Sequence, residues 1–192
     1  MALPRALEIF CHSWQAKAAA YSADDLSGAF DRFFTSYVVF NRLYAEATYR
    51  LARRGQLKLR DRFPDAQAAQ EYVVQYCGAE TLVTAWEESP GTTAALREIA
   101  DYLHAGTFAL RLDPTTGDRR PEKDQELLVA LESRSRDRRA KAVLEALYAI
   151  RCNMFHGQKE FDVAQVALLR PAICVLEGTI DVLYDALDRC DN

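Results

Sequence analysis

The chain is expected to fold as an all-α protein, an up-and-down bundle of about four long helices with a smaller helical and loop insertion. Three observations predict this. Apolar residues recur at spacings of three and four over long stretches. Glycine and proline fall between those stretches, and strict alternation is confined to one short segment. With 192 residues the chain can bury a substantial core as one domain, read here as 1–192 with 56–124 as the insertion.

The first helix is expected over residues 5–20, where Leu7, Phe10, Trp14 and Ala18 form one apolar face. Asp24 and Asp25, after Ser22, supply N-caps for the next helix. That second helix, roughly 24–54, has the strongest pattern: Leu26, Phe30, Phe33, Tyr37, Phe40, Tyr44, Ala47 and Leu51, widened by Phe34 and Val38. Gly55 ends it. Asn41 lies within the apolar stripe, and a buried amide needs partners, so it either ties two helices together or points into a polar cleft.

A basic linker over 56–61 leads to a third helix at about 64–77, with Tyr72, Val73 and Tyr76 inward and Gly78 as its break. Shorter helices follow at about 79–88 and 92–104, parted by Ser89-Pro90-Gly91. His104, beside Gly106, reads as a capping or surface residue. Residues 107–124 are the least helical. Phe108, Leu110 and Leu112 alternate as a short extended piece, a turn follows from Asp113, and Arg119 and Arg120 either contact phosphate or are solvated.

Another helix is expected over 122–133, then a basic turn, RSRDRRAK, at 134–141. In the following helix Ala140, Val143, Leu144, Leu147, Ile150 and Met154 form the buried stripe and Gly157 is the stop; a Lys141–Glu145 pair runs in the weaker order. The last helix, about 162–189, is apolar along Val163, Val166, Leu169, Ile173, Leu176, Ile180, Leu183 and Leu187, with Pro171 inside it as a kink or a new start.

Composition excludes several classes. No run approaches the length needed to cross a bilayer, so no membrane partner is expected. The N-terminal stretch does not read as a secretory signal. The five cysteines are odd in number and contain no CxxC, which argues against a disulfide framework or a zinc site and fits a reducing cytoplasm. No metal site and no cofactor is expected: P-loop, HExxH and Ser/His/Asp patterns are all missing. A net charge of −4 means that any polyanion must meet a local basic patch. The 134–141 segment, with Arg138 and Lys141, is one candidate; its alternative is a solvated helix start of mixed charge.

Chemistry concentrates in LYAIRCNMFHGQK, Leu147 to Lys159. Arg151 offers a permanent charge and a planar fork for phosphate oxygens, and His156 moves protons near neutral pH. Without a metal, such a pair is sufficient to help a ribose 2′-hydroxyl attack its neighbouring phosphate, and Lys159 adds a second cation. The alternative is Arg151 in a surface ion pair and His156 as a polar residue near a helix end.

IRCNMFHGQK resembles the Arg-x4-His signature of HEPN domains, and FDRFFTSYVVFNRLY is similar to the long aromatic helix of Apea-like and related HEPN proteins, where an Asn precedes an aromatic as Asn41 precedes Tyr44. The resemblance implies a HEPN-like bundle and a metal-independent ribonuclease. It further implies a homodimer with a composite cleft, and a role as a toxin with a cognate antitoxin or as an anti-phage effector. Carried over, Arg151 binds the scissile phosphate and His156 is the acid/base. Asn153 and Asn41 are the supporting candidates, and on their charge alone Lys159, Arg138 and Lys141 are the candidates to contact RNA. The sequence departs from the pattern at Cys152, where a polar residue usually follows the arginine; Asn153 comes one later. Some HEPN domains lack catalysis and serve as binding or dimerisation modules.

Helix geometry narrows the reading. At about 100° per residue, Arg151 and His156 are about 140° apart around a straight helix. They meet only if the helix unwinds near Phe155–Gly157 or if a second chain completes the site.

Overall fold

The computed structural model describes residues 3–59, 61–113, 115–155 and 164–189, and these form an all-α fold around one core. Helix α1 is Arg5–Ala19 and α2 is Leu26–Arg53. Helix α3 spans 65–77, with a π-helical turn at Ala68–Tyr72. It is followed by α4 (Ala79–Glu88), α5 (Pro90–His104) and α6 (Pro121–Leu131). Helices α7 (Arg136–Phe155) and α8 (Gln165–Asp188) complete the described fold. Among the described residues no helix is long and apolar enough to cross a membrane.

Local chemistry sets the boundaries. The Asp25 side chain caps α2 by accepting from the Gly28 N–H at 2.8 Å. Gly28 itself is required there, because a Cβ would lie 2.2 Å from the Ser22 carbonyl oxygen. Ser89 caps α5 with Pro90 at its first position. Gly55 and Gly78 adopt φ of 70° and 85° just past the ends of α2 and α3, a conformation costly for other residues. Pro171 starts no new helix: α8 continues through it.

Helix α2 is the centre of the fold. It packs against α8 along much of its length, with α1 and α3 on its other flanks. Phe33, Tyr37, Phe40, Tyr44, Ala47 and Leu51 are buried as their spacing predicts, but the face widens through Val39 and Leu43, not through Phe34 and Val38. Phe34 is 36% exposed. The reason is tertiary: α1, α3 and α8 pack on α2 and bury Val39 and Leu43, while Phe34 and Val38 keep part of their surface. A bidentate pair at 2.8 Å between Arg32 and Glu177 clamps α2 to α8.

The region expected as an insertion supplies much of the core, including Leu82, Trp86, Ile99 and Leu110. Helices α3 and α4 pack against both α7 and α8, whereas α7 and α8 touch each other only sparingly. The alternating segment is extended, as expected. Leu112 pairs with Arg119 across an isolated antiparallel bridge, and Arg120 N–H donates to the Arg111 carbonyl at 3.0 Å, making a hairpin over 111–120. The Asp124 carboxylate of α6 accepts from the N–H groups of Leu110 and Arg111 at 3.0 and 2.8 Å, which fixes the hairpin base.

Candidate active site

Arg151 lies in the last turn of the described part of α7, and three helices converge on it. Its guanidinium carbon is 5.7 Å from the ring centroid of Tyr37 on α2 and 5.8 Å from that of Tyr148 on α7. Tyr148 shares its face because three residues along a helix return to nearly the same side. Both rings hold the cation by cation–π attraction and limit its rotamers. Nη1 also donates to the Cys152 sulfur at 3.9 Å.

Below this cation lies a polar network. The Asp65 carboxylate, at the start of α3, accepts from the hydroxyls of Tyr44 and Tyr148. Tyr44 in turn accepts from the Asn41 side-chain amide. Asn41 therefore braces Tyr44 on its own helix, and it also lines a cavity of about 140 Å³ with Arg151, Phe34, Tyr37 and Val38. Among the described residues Asn41 thus ties no second helix directly, and it faces this cavity beside Arg151. The residues that leave the core face of α2, Phe34 and Val38, form the apolar wall of this cavity.

Electrostatics keep the site cationic. Burial works against the charge of Arg151, but the Cys152 sulfur, the Tyr37 hydroxyl and Asp65 act the other way, and the balance is upward from an already high pKa. Burial pushes the Tyr37 hydroxyl well above its ordinary range, with Arg151 opposing. Tyr44 and Tyr148 are likewise raised, first by burial, then by Asp65 at Tyr44 and by Cys152 and Asp65 at Tyr148. All three are neutral phenols at physiological pH and not bases; of them Tyr44 and Tyr148 donate to Asp65.

The other expected residues are placed differently. Asn153 is buried, 6% exposed, and donates from Nδ2 to the Leu110 carbonyl at 3.0 Å, which ties α7 to the hairpin. Arg138 and Lys141 are exposed in the first turns of α7. They lie 13 and 10 residues before Arg151, a rise of roughly 20 and 15 Å along the helix. The structure does not bring them to Arg151. The basic segment is also largely paired: Arg136 with Glu80 and Glu87, Arg139 with Glu87, and Lys141 with Asp137. The expected Lys141–Glu145 pair is replaced, because Glu145 meets Arg111 of the hairpin at 3.0 Å. His156, Gly157 and Lys159 lie outside the described residues. Helix α7 is regular through Phe155, so Arg151 itself sits in unbroken helix; of the two alternatives, an unwinding from His156 on and a site completed by a second chain, the first lies outside the described residues.

Tyr37, Tyr148 and Asp65 were not singled out from sequence. Tyr37 and Tyr148 had a usable signal, since Tyr37 lies four residues before Asn41 and Tyr148 three before Arg151. Asp65 had none beyond its place after Pro64 at a helix start.

No family model, curated protein or solved structure matches the chain.

Proposed function

We propose that the chain is a metal-independent endoribonuclease of the HEPN kind, working as a homodimer in the cytoplasm as a toxin or anti-phage effector. The observation that supports this best is Arg151: a permanent cation held between two tyrosine rings at a small cavity, five residues before His156. In the proposed reaction His156 takes the proton from a ribose 2′-hydroxyl, whose oxygen forms a bond to the adjacent phosphorus. The bond from phosphorus to the 5′-oxygen breaks, and that oxygen receives a proton as it leaves. Arg151 offsets the charge on the non-bridging oxygens. The products are a 2′,3′-cyclic phosphate and a 5′-hydroxyl.

A second reading, an RNA-binding or assembly module without cleavage, is favoured by one feature. The Asn153 amide donor is engaged with the Leu110 carbonyl and so serves the scaffold.

The test is cleavage of total RNA in EDTA by wild type, Arg151→Ala and His156→Ala, with end analysis for the cyclic phosphate. Each variant is expected to lose about a hundredfold or more. Cleavage that survives both substitutions removes the ribonuclease reading. If wild type cleaves, mixing the two inactive variants locates the site. Recovery in the mixed dimer means Arg151 and His156 act across chains, and no recovery places them within one chain. A cognate antitoxin, in this reading, neutralises the dimer.

A further inference from the structure

A cleft of about 820 Å³ opens between α7 and the hairpin. Arg111, Thr115, Thr116 and Arg120 line it from the hairpin, and Tyr148 and Cys152 from α7. Two of these residues also contact Arg151: the guanidinium lies 5.8 Å from the Tyr148 ring centroid, and Nη1 donates to Cys152. The cleft and the Arg151 site thus share a wall.

The lining is chemically one-sided. Although the chain carries a net charge of −4, the described residues that line the cleft include two arginines and no Asp or Glu. Nearby carboxylates offset the arginines unequally. Glu145 meets Arg111 at 3.0 Å, whereas Glu122 approaches Arg120 at 3.6 Å with both side chains well exposed, and Asp113 also lies within electrostatic reach of Arg120. An exposed pair of that kind is weak and exchanges readily for a phosphate. Tyr148 adds an aromatic surface, and Thr115 adds a hydroxyl.

We propose that this cleft binds single-stranded RNA next to the phosphate held by Arg151. In this arrangement Arg120 meets a flanking backbone phosphate and an unstacked base lies against Tyr148. The proposal rests on the ribonuclease reading and extends it to a substrate class. Arginine and hydroxyl contacts position a phosphate backbone, and stacking on tyrosine accepts any base. The volume is in the range of pockets for ligands of nucleotide size, whereas a duplex keeps its bases stacked inside and away from such a ring.

The test uses the full chain and a fluorescent single-stranded RNA made uncleavable by 2′-O-methylation, with its duplex form as competitor. Arg120→Glu is compared with Arg119→Glu, which makes the same charge change one residue away, where Arg119 reaches the Gly106 carbonyl outside the cleft lining. Arg120→Glu is expected to weaken binding about tenfold and to lower the salt slope by about one. Arg119→Glu is expected to change affinity less than about twofold, and the duplex to compete poorly. Arg120→Gln, checked by melting temperature, replaces Arg120→Glu if the charge reversal disturbs folding.

Equal effects at both positions, no effect at Arg120, or no binding by wild type overturn the proposal. If wild type binds with this pattern yet cleaves no unmodified RNA, the cleft stands and the ribonuclease reading falls. If wild type cleaves while Arg120→Glu binds normally, the reverse holds.

Discussion

The Tyr148 hydroxyl donates to Asp65 at 3.1 Å across 83 residues of sequence, which ties the helix carrying Arg151 to the start of α3. Because Tyr148 also flanks the guanidinium, the position of Arg151 depends on a residue it need not touch. Asp65 receives the Tyr44 hydroxyl as well, so one carboxylate joins α2, α3 and α7.

Asp65→Ala is therefore expected to leave two hydroxyls without an acceptor and to destabilise the fold by about 2–4 kcal/mol. Asp65→Asn keeps one acceptor oxygen and the side-chain shape, and its loss is expected to be about half as large. Urea denaturation of both variants measures this. A loss under about 0.5 kcal/mol for Asp65→Ala means that the junction is held by packing alone.

Tyr37→Phe is expected to act in the opposite direction. The Tyr37 hydroxyl is buried, in a side chain only 4% exposed, and has no hydrogen-bond partner among the described residues. Its removal keeps the ring beside Arg151 and relieves an unsatisfied group, for a gain of about 1 kcal/mol. For a chain of this size that is a rise of about 2–4 °C in Tm by calorimetry. A fall in Tm instead means that the hydroxyl serves a partner such as a trapped water.

The contrast between Tyr37 and Asp65 shows what was legible in the sequence. The stripe of α2 could be read because helical spacing places Phe33, Tyr37, Phe40 and Tyr44 together whatever packs on them. Which flank would widen could not be read, because it depends on the helices that pack on α2, which bury Val39 fully and leave Phe34 36% exposed. Arg151 was visible as a motif residue, but its tether to Asp65 has no local signature. The alternation of Phe108, Leu110 and Leu112 announced an extended piece. Its anchors, Asp124 and Asn153, are helical polar residues whose partners lie 13, 14 and 43 positions away. The pairing of the basic segment could not be read, because Glu80 and Glu87, which meet Arg136 and Arg139, come from α4.

Asn153→Ala is expected to free the hairpin from α7. The Leu110 carbonyl belongs to a residue 1% exposed, so losing its donor leaves a buried acceptor, at about 1–2 kcal/mol. Hydrogen exchange is the direct readout. Amides of residues 109–113 should exchange faster in Asn153→Ala, while those in α2 remain as slow as in wild type. Asn153→Asp should be worse than Ala, since it sets a carboxylate against the carbonyl oxygen. Unchanged exchange in the hairpin would show that Asp124 suffices to hold it.

Cys11 gives the fold a defined alkaline limit. The thiol is fully buried between α1 and the core, and burial pushes its pKa from 9.0 up to about 11, with Arg42 opposing. The folded state thus keeps a proton that the unfolded chain releases near pH 9. Stability from this group is complete below pH 9, falls as pH rises, and is lost by about pH 11. Two pH units correspond to about 2–3 kcal/mol. Tyrosines and lysines also titrate in this window, so the readout is a difference: urea stability of wild type minus that of Cys11→Ala at pH 8, 9, 10 and 11. The difference should be constant to pH 9 and then shrink by about 2–3 kcal/mol. A difference that stays flat to pH 11 means that the thiolate reaches water in the folded chain, and that the α1–α2 contact opens far more readily than its packing implies.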